Sequence, residues 1–118
     1  MAAALQAIVN VDDARRALES SQDGLVVIYK HSPACERSAM ALGEITKFLD
    51  GPAGGLPVHI VDVLAARSAS QWIEAATGIR HESPQALVIR DGRAVWSASH
   101  WGVTADALTT ALAAATAD

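Results

Sequence analysis

The sequence predicts one α/β domain built on a four-stranded mixed sheet with helices on both faces. Three observations carry this expectation. The run Leu25-Val26-Val27-Ile28-Tyr29 is continuously apolar and β-branched, as in strands buried on both faces. Asp91-Gly92 separates two strand-like segments with the residue pair favoured by a tight hairpin turn of positive φ. Between and around them lie stretches whose apolar residues recur three, four or seven apart, the period of amphipathic helices. At 118 residues the chain has room for one core, and the expected domain spans residues 1–118.

A first helix is expected over residues 10–20, where Val11, Ala14, Ala17 and Leu18 share a face. Asn10 or Asp12 can cap it, and Asp13 suits its positive end. Residues 25–29 then form the first central strand. From about residue 33 to residue 49, Leu42, Ile45, Phe48 and Leu49 mark one face of a second helix, which Gly51-Pro52 stops. The loop at residues 51–55 feeds a second strand over residues 57–63, and strand, helix, strand implies a right-handed crossover. A third helix carries Trp72, Ile73 and Ala76, with Ser68 or Ser70 as its cap and Gly78 at its left-handed end. Residues 86–90 and 93–98 make the hairpin. Thr104 caps an alanine-rich last helix through Ala107, Leu108, Ala111 and Leu112, with Trp96 and Trp101 expected beneath it.

Composition excludes several classes of partner. The net charge is −4 and the lysines and arginines are not clustered, which disfavours nucleic acid and anionic membranes. Residues 1–5 are apolar but have neither a basic flank nor a long apolar run, so no signal peptide is expected. No apolar run reaches the roughly 18 to 20 residues that span a bilayer. The expected location is the cytoplasm, where a free thiol stays reduced unless it is used.

The chain holds one cysteine, Cys35, between the first strand and the start of the second helix. It has no internal disulfide partner, so redox chemistry there must pass through a mixed disulfide with another molecule. A lone cysteine is often a small buried residue, and Cys35, Leu42 and Leu49 are spaced by sevens. The strand-to-helix position favours a reactive thiol instead, because the N–H groups of a helix start stabilise S⁻. Lys30, His31 and Arg37 push in that direction and Glu36 in the other. Ser38 stands one helical turn on, in the spacing of a Cys-x-x-Cys redox pair whose second thiol is a hydroxyl. Such a site can form a mixed disulfide but needs a thiol from solution to resolve it. The histidines at 31, 59, 81 and 100 are too dispersed to suggest a zinc site. His31, His81 and His100 sit near strand ends, where one of them can position or protonate the sulfur, and His59 reads as a strand residue without a task.

The element order resembles that of a thioredoxin-like domain. So does the stretch from Gly78-Ile79-Arg80 through Pro84 to Asp91-Gly92-Arg93, with one extra residue before the proline. That resemblance implies a cis peptide at Ser83-Pro84 facing the thiol, with the Ser83 backbone offered to an extended substrate. More narrowly, several motifs together are similar to the monothiol bacilliredoxin family. They are Lys30-His31-Ser32, Cys35-x-x-Ser38, Asp62-Val63, residues 81–85 (His-Glu-Ser-Pro-Gln), Val95-Trp96 and Ser99-His100-Trp101. The departure is Glu36, where family members commonly have proline.

The family resemblance implies a thiol–disulfide oxidoreductase acting in oxidative stress, which takes bacillithiol off S-bacillithiolated client proteins. Cys35 attacks the mixed disulfide, and Ser38 replaces a resolving cysteine. His31, His81, Ser83, Pro84 and Arg37 are the candidate substrate-binding residues, and Arg37, Arg67 and Arg80 are candidate contacts for a carboxylate-bearing thiol. No bound cofactor or metal is expected; bacillithiol is the co-substrate, and the chain is expected to be a monomer. The alternative is a non-catalytic module or, as in monothiol glutaredoxins, an iron–sulfur cluster held between subunits.

Overall fold

The computed structural model describes residues 5–51 and 56–116. The expected break at Pro52, the loop through residue 55 and most of the N-terminal reading lie outside the described residues. The sheet has five strands, in the order β1-β3-β2-β4-β5. They are β1 (Leu5–Ile8), β2 (Val26–His31), β3 (Val58–Asp62), β4 (Gln85–Arg90) and β5 (Arg93–Ser99). The helices are α1 (Val11–Ser20), α2 (Glu36–Leu49), α3 (Arg67–Thr77) and α4 (Ala105–Thr116), with a 3-10 turn at His100–Gly102. The strand beyond the expected four is β1, which pairs in parallel with β3 at the sheet edge. Only Ile8 of its four residues is buried, so it lacks the alternation that marks a strand in sequence.

β1, β3 and β2 are parallel, whereas β4 runs antiparallel to β2, and β5 to β4. Residues 26–30 of β2 are all buried, because helices cover both faces of the sheet. Val27 and Tyr29 meet Ala41, Ile45, Phe48, Leu108 and Leu112 of α2 and α4. Val26 and Ile28 meet Ala14, Leu18, Ala69 and Ile73 of α1 and α3. Among the described residues no helix is long and apolar enough to cross a membrane.

The caps explain where the helices begin. Asn10 Oδ1 accepts the Asp13 N–H at 2.8 Å, and Asp13 Oδ2 accepts the Val9 N–H at 3.0 Å, a reciprocal cap on α1. α2 starts at Glu36 with Cys35 at its N-cap, three residues later than the expected start near residue 33. α3 has Ala66 at its cap, and neither Ser68 nor Ser70 serves. Asp62 organises that turn instead, accepting the Leu64 and Ala65 N–H groups at 2.9 and 3.0 Å, which holds its carboxyl below the ordinary range. Thr104 Oγ1 takes the Ala107 N–H at 3.0 Å, as expected.

The hairpin turn has φ of 52° at Asp91 and 75° at Gly92. Ser21, buried after α1, fixes it: its carbonyl accepts the Asp91 N–H at 2.9 Å and its hydroxyl the Gly92 N–H at 2.8 Å. Trp96 packs against the α2/α4 layer, but Trp101 does not lie beneath α4; it is 63% exposed.

Two glycines separate backbone strain from crowding. Gly78 ends α3 at φ 73°, and a Cβ there meets nothing within 4 Å; Gly43 lies inside α2, also with open space around it. Gly78→Ala is expected to destabilise the protein by about 1 kcal/mol through the left-handed backbone alone. Gly43→Ala should stabilise it by about 0.5–1 kcal/mol through helix propensity. Urea unfolding of both variants checks the opposite signs.

Candidate active site

Register places the site. Lys30 pairs with Gln85 and His31 with Asp62, so β2, β3 and the start of β4 meet at one end of the sheet. The turn after β2, the cis Ser83-Pro84 peptide and the 3-10 turn all gather there. His100, at φ 55°, donates its N–H to the Pro84 carbonyl at 2.8 Å, while its Nε2 lies 3.0 Å from Glu82 Oε2. The 3-10 turn thus holds the cis-proline segment from both sides.

Cys35 is partly exposed, which removes the reading of it as a core residue. Its N–H donates to the Ser32 carbonyl at 3.2 Å and its carbonyl accepts the Ala39 N–H at 3.2 Å. Ser38 is fully buried and accepts the Ser32 N–H on Oγ at 3.1 Å. The sulfur closes no capping hydrogen bond, so its stabilisation comes from facing dipoles. The Ser38 N–H lowers its pKa most, partial burial opposes, and the Arg37 N–H, the Ser38 hydroxyl and the Arg37 charge lower it further. Of the three cations expected near the thiol, Arg37 is the one that acts on it. Its guanidinium also lies 5.2 Å from the Trp101 ring centroid, joining the start of α2 to the exposed indole. Glu36 occupies the first turn of α2, where a carboxylate suits the helix dipole.

Alternation along β2 sends Lys30 and His31 elsewhere. His31 follows Tyr29 onto the α2/α4 face, where the Tyr29 hydroxyl donates to the Ser38 carbonyl at 2.8 Å and lies 3.0 Å from His31 Nδ1. Burial raises the Tyr29 pKa, so the phenol remains a donor. Lys30 points to the opposite face, wholly buried, and donates to the Ser70 carbonyl at 3.2 Å. His81 Nδ1 lies 3.2 Å from Lys30 Nζ and 3.1 Å from Ser70 Oγ, while the His81 backbone N–H donates to Glu74 Oε2 at 2.6 Å. His81 and Ser83 line a cleft of about 490 Å³ with Ser32, Arg67, Ser70, Gln71 and Glu74.

Ser32, Cys35, Ser38, Ser83, Pro84 and His81 therefore share one end of the sheet, with Arg37 acting on the sulfur from the first turn of α2. His31 faces a separate small cavity toward Asp62 and β1. His59 is half-buried, and its Nε2 has no hydrogen-bond partner among the described residues. Sequence reasoning missed three contributions: Tyr29 as a support of Ser38, Ser32 as a buried donor, and the burial of Lys30. The signal for Lys30 was present, since a lysine closing a run buried on both faces has no exposed side to take.

Burial lowers the Lys30 pKa from 10.5 to about 8, with Glu74 pulling the other way. The unfolded chain therefore holds this proton more tightly. Stability is depressed below pH 8 and should rise between about pH 8 and 10.5 by on the order of 3 kcal/mol or less. Urea unfolding across that range should show the rise in the natural protein and not in Lys30→Met; parallel profiles would refute it.

The fold has solved counterparts. A candidate oxidoreductase with a thioredoxin fold is 28% identical, with a TM-score of 0.81 over 91% of this chain and 92% of its own. Thioredoxin from Malassezia sympodialis is 21% identical with a TM-score of 0.76, covering 97% of this chain and 93% of its own. Thioredoxin from Trypanosoma brucei brucei is 14% identical with a TM-score of 0.78, covering 98% and 93%. The fold is thus thioredoxin-like, as expected, with β1 added to the four strands. The family model of the monothiol bacilliredoxin BrxC matches residues 6–108, so the chain belongs to the monothiol bacilliredoxin family.

Proposed function

We propose that the protein is a cytoplasmic, monomeric thiol–disulfide oxidoreductase that removes bacillithiol from S-bacillithiolated client proteins during oxidative stress. The observation that carries this reading is the partly exposed sulfur of Cys35 at the N-cap of α2, facing the Arg37 and Ser38 N–H groups, with no second cysteine in the chain. Membership of the monothiol bacilliredoxin family supports bacillithiol as the small thiol of this reading.

The steps balance without a bound cofactor. Cys35 S⁻ attacks the bacillithiol sulfur of the mixed disulfide; the new S–S bond forms on Cys35 and the client thiolate leaves with the old bond's electron pair. A second bacillithiol thiolate then attacks that sulfur, releasing bacillithiol disulfide and restoring Cys35 S⁻. Ser38 aids by dipole and hydroxyl rather than by resolving. Tyr29 and His31 act as positioning residues behind the Ser38 carbonyl. Among the described residues neither the N–H nor the C=O of Ser83 has a backbone partner, which leaves both for an extended client segment beside Pro84. Arg37 and His81 flank the sulfur and the cleft as substrate contacts.

The alkylation rate of Cys35 plotted against pH should turn at a lower pH than in the urea-unfolded chain. Ser38→Ala removes the hydroxyl that faces the sulfur and with it the acceptor of the Ser32 N–H, and should move the turn upward, slowing the reaction at neutral pH while the plateau above both pKa values is retained or raised, since a more basic thiolate is more nucleophilic. The decisive experiment is the mass of the protein after incubation with a bacillithiolated client peptide. The expected product is free peptide and one bacillithiol on Cys35, absent in Cys35→Ala; a bacillithiolated peptide left intact by the natural protein would reject the reading.

A further inference from the structure

The cleft lined by Ser32, α3, His81 and Ser83 is chemically asymmetric. Arg67, Ser70, Gln71 and Glu74 lie along one face of α3, so its cationic and acidic ends are two turns, roughly 10 Å, apart. Among the described residues neither Arg67 nor Glu74 forms an ion pair with another side chain. The volume of about 490 Å³ is that of a small-molecule site. Ser32 and Ser83 belong to its wall, and the Ser32 carbonyl holds the Cys35 N–H, so the cleft opens beside the loop that carries the thiol.

His81 adds a donor of fixed sense. Its Nδ1 meets the Lys30 ammonium and the Ser70 hydroxyl. An ammonium has no lone pair, so Nδ1 must accept and the ring proton sits on Nε2. Lys30 is thus a positioning residue: from a buried place behind the cleft it sets which ring nitrogen of His81 donates.

We propose that this cleft seats the small-thiol half of the mixed disulfide and selects a zwitterionic thiol, its carboxylate at Arg67 and its ammonium group at Glu74. The proposal rests on the exchange reaction above and names the feature by which that site recognises its small thiol. His81 Nε2–H serves the polar atoms between the two charges. A thiol with one charge leaves either Arg67 or Glu74 unmatched.

The test uses one N-acetylated cysteine peptide as its mixed disulfide with Cys-Gly-Gly, N-acetyl-Cys-Gly-Gly or Cys-Gly-Gly amide; the first bears an ammonium and a carboxylate about 10 Å apart when extended, the second the carboxylate alone and the third the ammonium alone. Each exchange rate is normalised to reaction of the same disulfide with a simple thiolate in solution. The natural protein should favour the doubly charged adduct by roughly tenfold over either singly charged one, the worth of one charge-assisted contact. Arg67→Ala should abolish the advantage over the amide, and Glu74→Gln, which keeps an acceptor for the His81 N–H, the advantage over the N-acetylated thiol. Cys35 alkylation within about twofold of the natural rate in both variants shows the sulfur unaltered. Equal normalised rates for the three adducts, or variants that slow all three alike, overturn the cleft assignment and leave the exchange reaction standing. No exchange with any adduct, and none with a bacillithiolated peptide, overturns both.

Discussion

The Ser32 N–H and the Ser38 hydroxyl form a hydrogen bond out of contact with water, and the geometry around the thiol depends on it. The bond ties the last residue before the loop to the first turn of α2. A buried N–H without an acceptor costs about 1–3 kcal/mol, so the loop is held in the conformation that satisfies it. That closure fixes Cys35 at the N-cap rather than within the helix. The Tyr29 hydroxyl then secures the same turn from inside the core, through the Ser38 carbonyl. Ser38 is consequently structural and electrostatic at once: its oxygen accepts from Ser32, its proton lies toward the sulfur, and its backbone serves both neighbours.

The side-chain period of two in β2 divides the labour on either side of the sheet. Tyr29 and His31 serve the helix that carries the thiol, while Lys30 serves the cleft wall formed by α3 and the segment before β4. A buried ammonium is costly, and here it is met by a carbonyl and an imidazole, with no carboxylate at contact distance among the described residues. That arrangement orders His81 at some expense of stability. Strained backbone appears in the same region, at His100, where a non-glycine residue with positive φ holds Pro84.

The central layers were legible because burial on both faces, hairpin chemistry and helical spacing each leave a local signature. Val26 to Tyr29, Asp91-Gly92 and Gly78 are cases in which residue type and backbone requirement coincide. β1 was not legible because a short edge strand with one buried residue carries no period. α2 starts later than the spacing of its apolar residues suggests because the Ser32–Ser38 bond, which sets the start, joins residues brought together only by the turn. Cys35 and Ser38 were found from spacing. The distribution of Lys30, His31 and Arg37 was not, since it depends on which face of β2 each leaves by. Trp101 was misplaced for a similar reason: its partner, Arg37, lies in another element far along the chain.

Cys35 occupies a helix end whose N–H groups are better served by an anion than by a neutral sulfur. The same preference governs departure as well as attack. A group that stabilises S⁻ lowers the free energy of the reduced protein relative to any disulfide formed there, so an adduct on Cys35 is held loosely and is a good target for the next thiol. The helix start therefore makes this residue a relay rather than a reservoir. It takes up a cargo that its own electrostatics then help to shed.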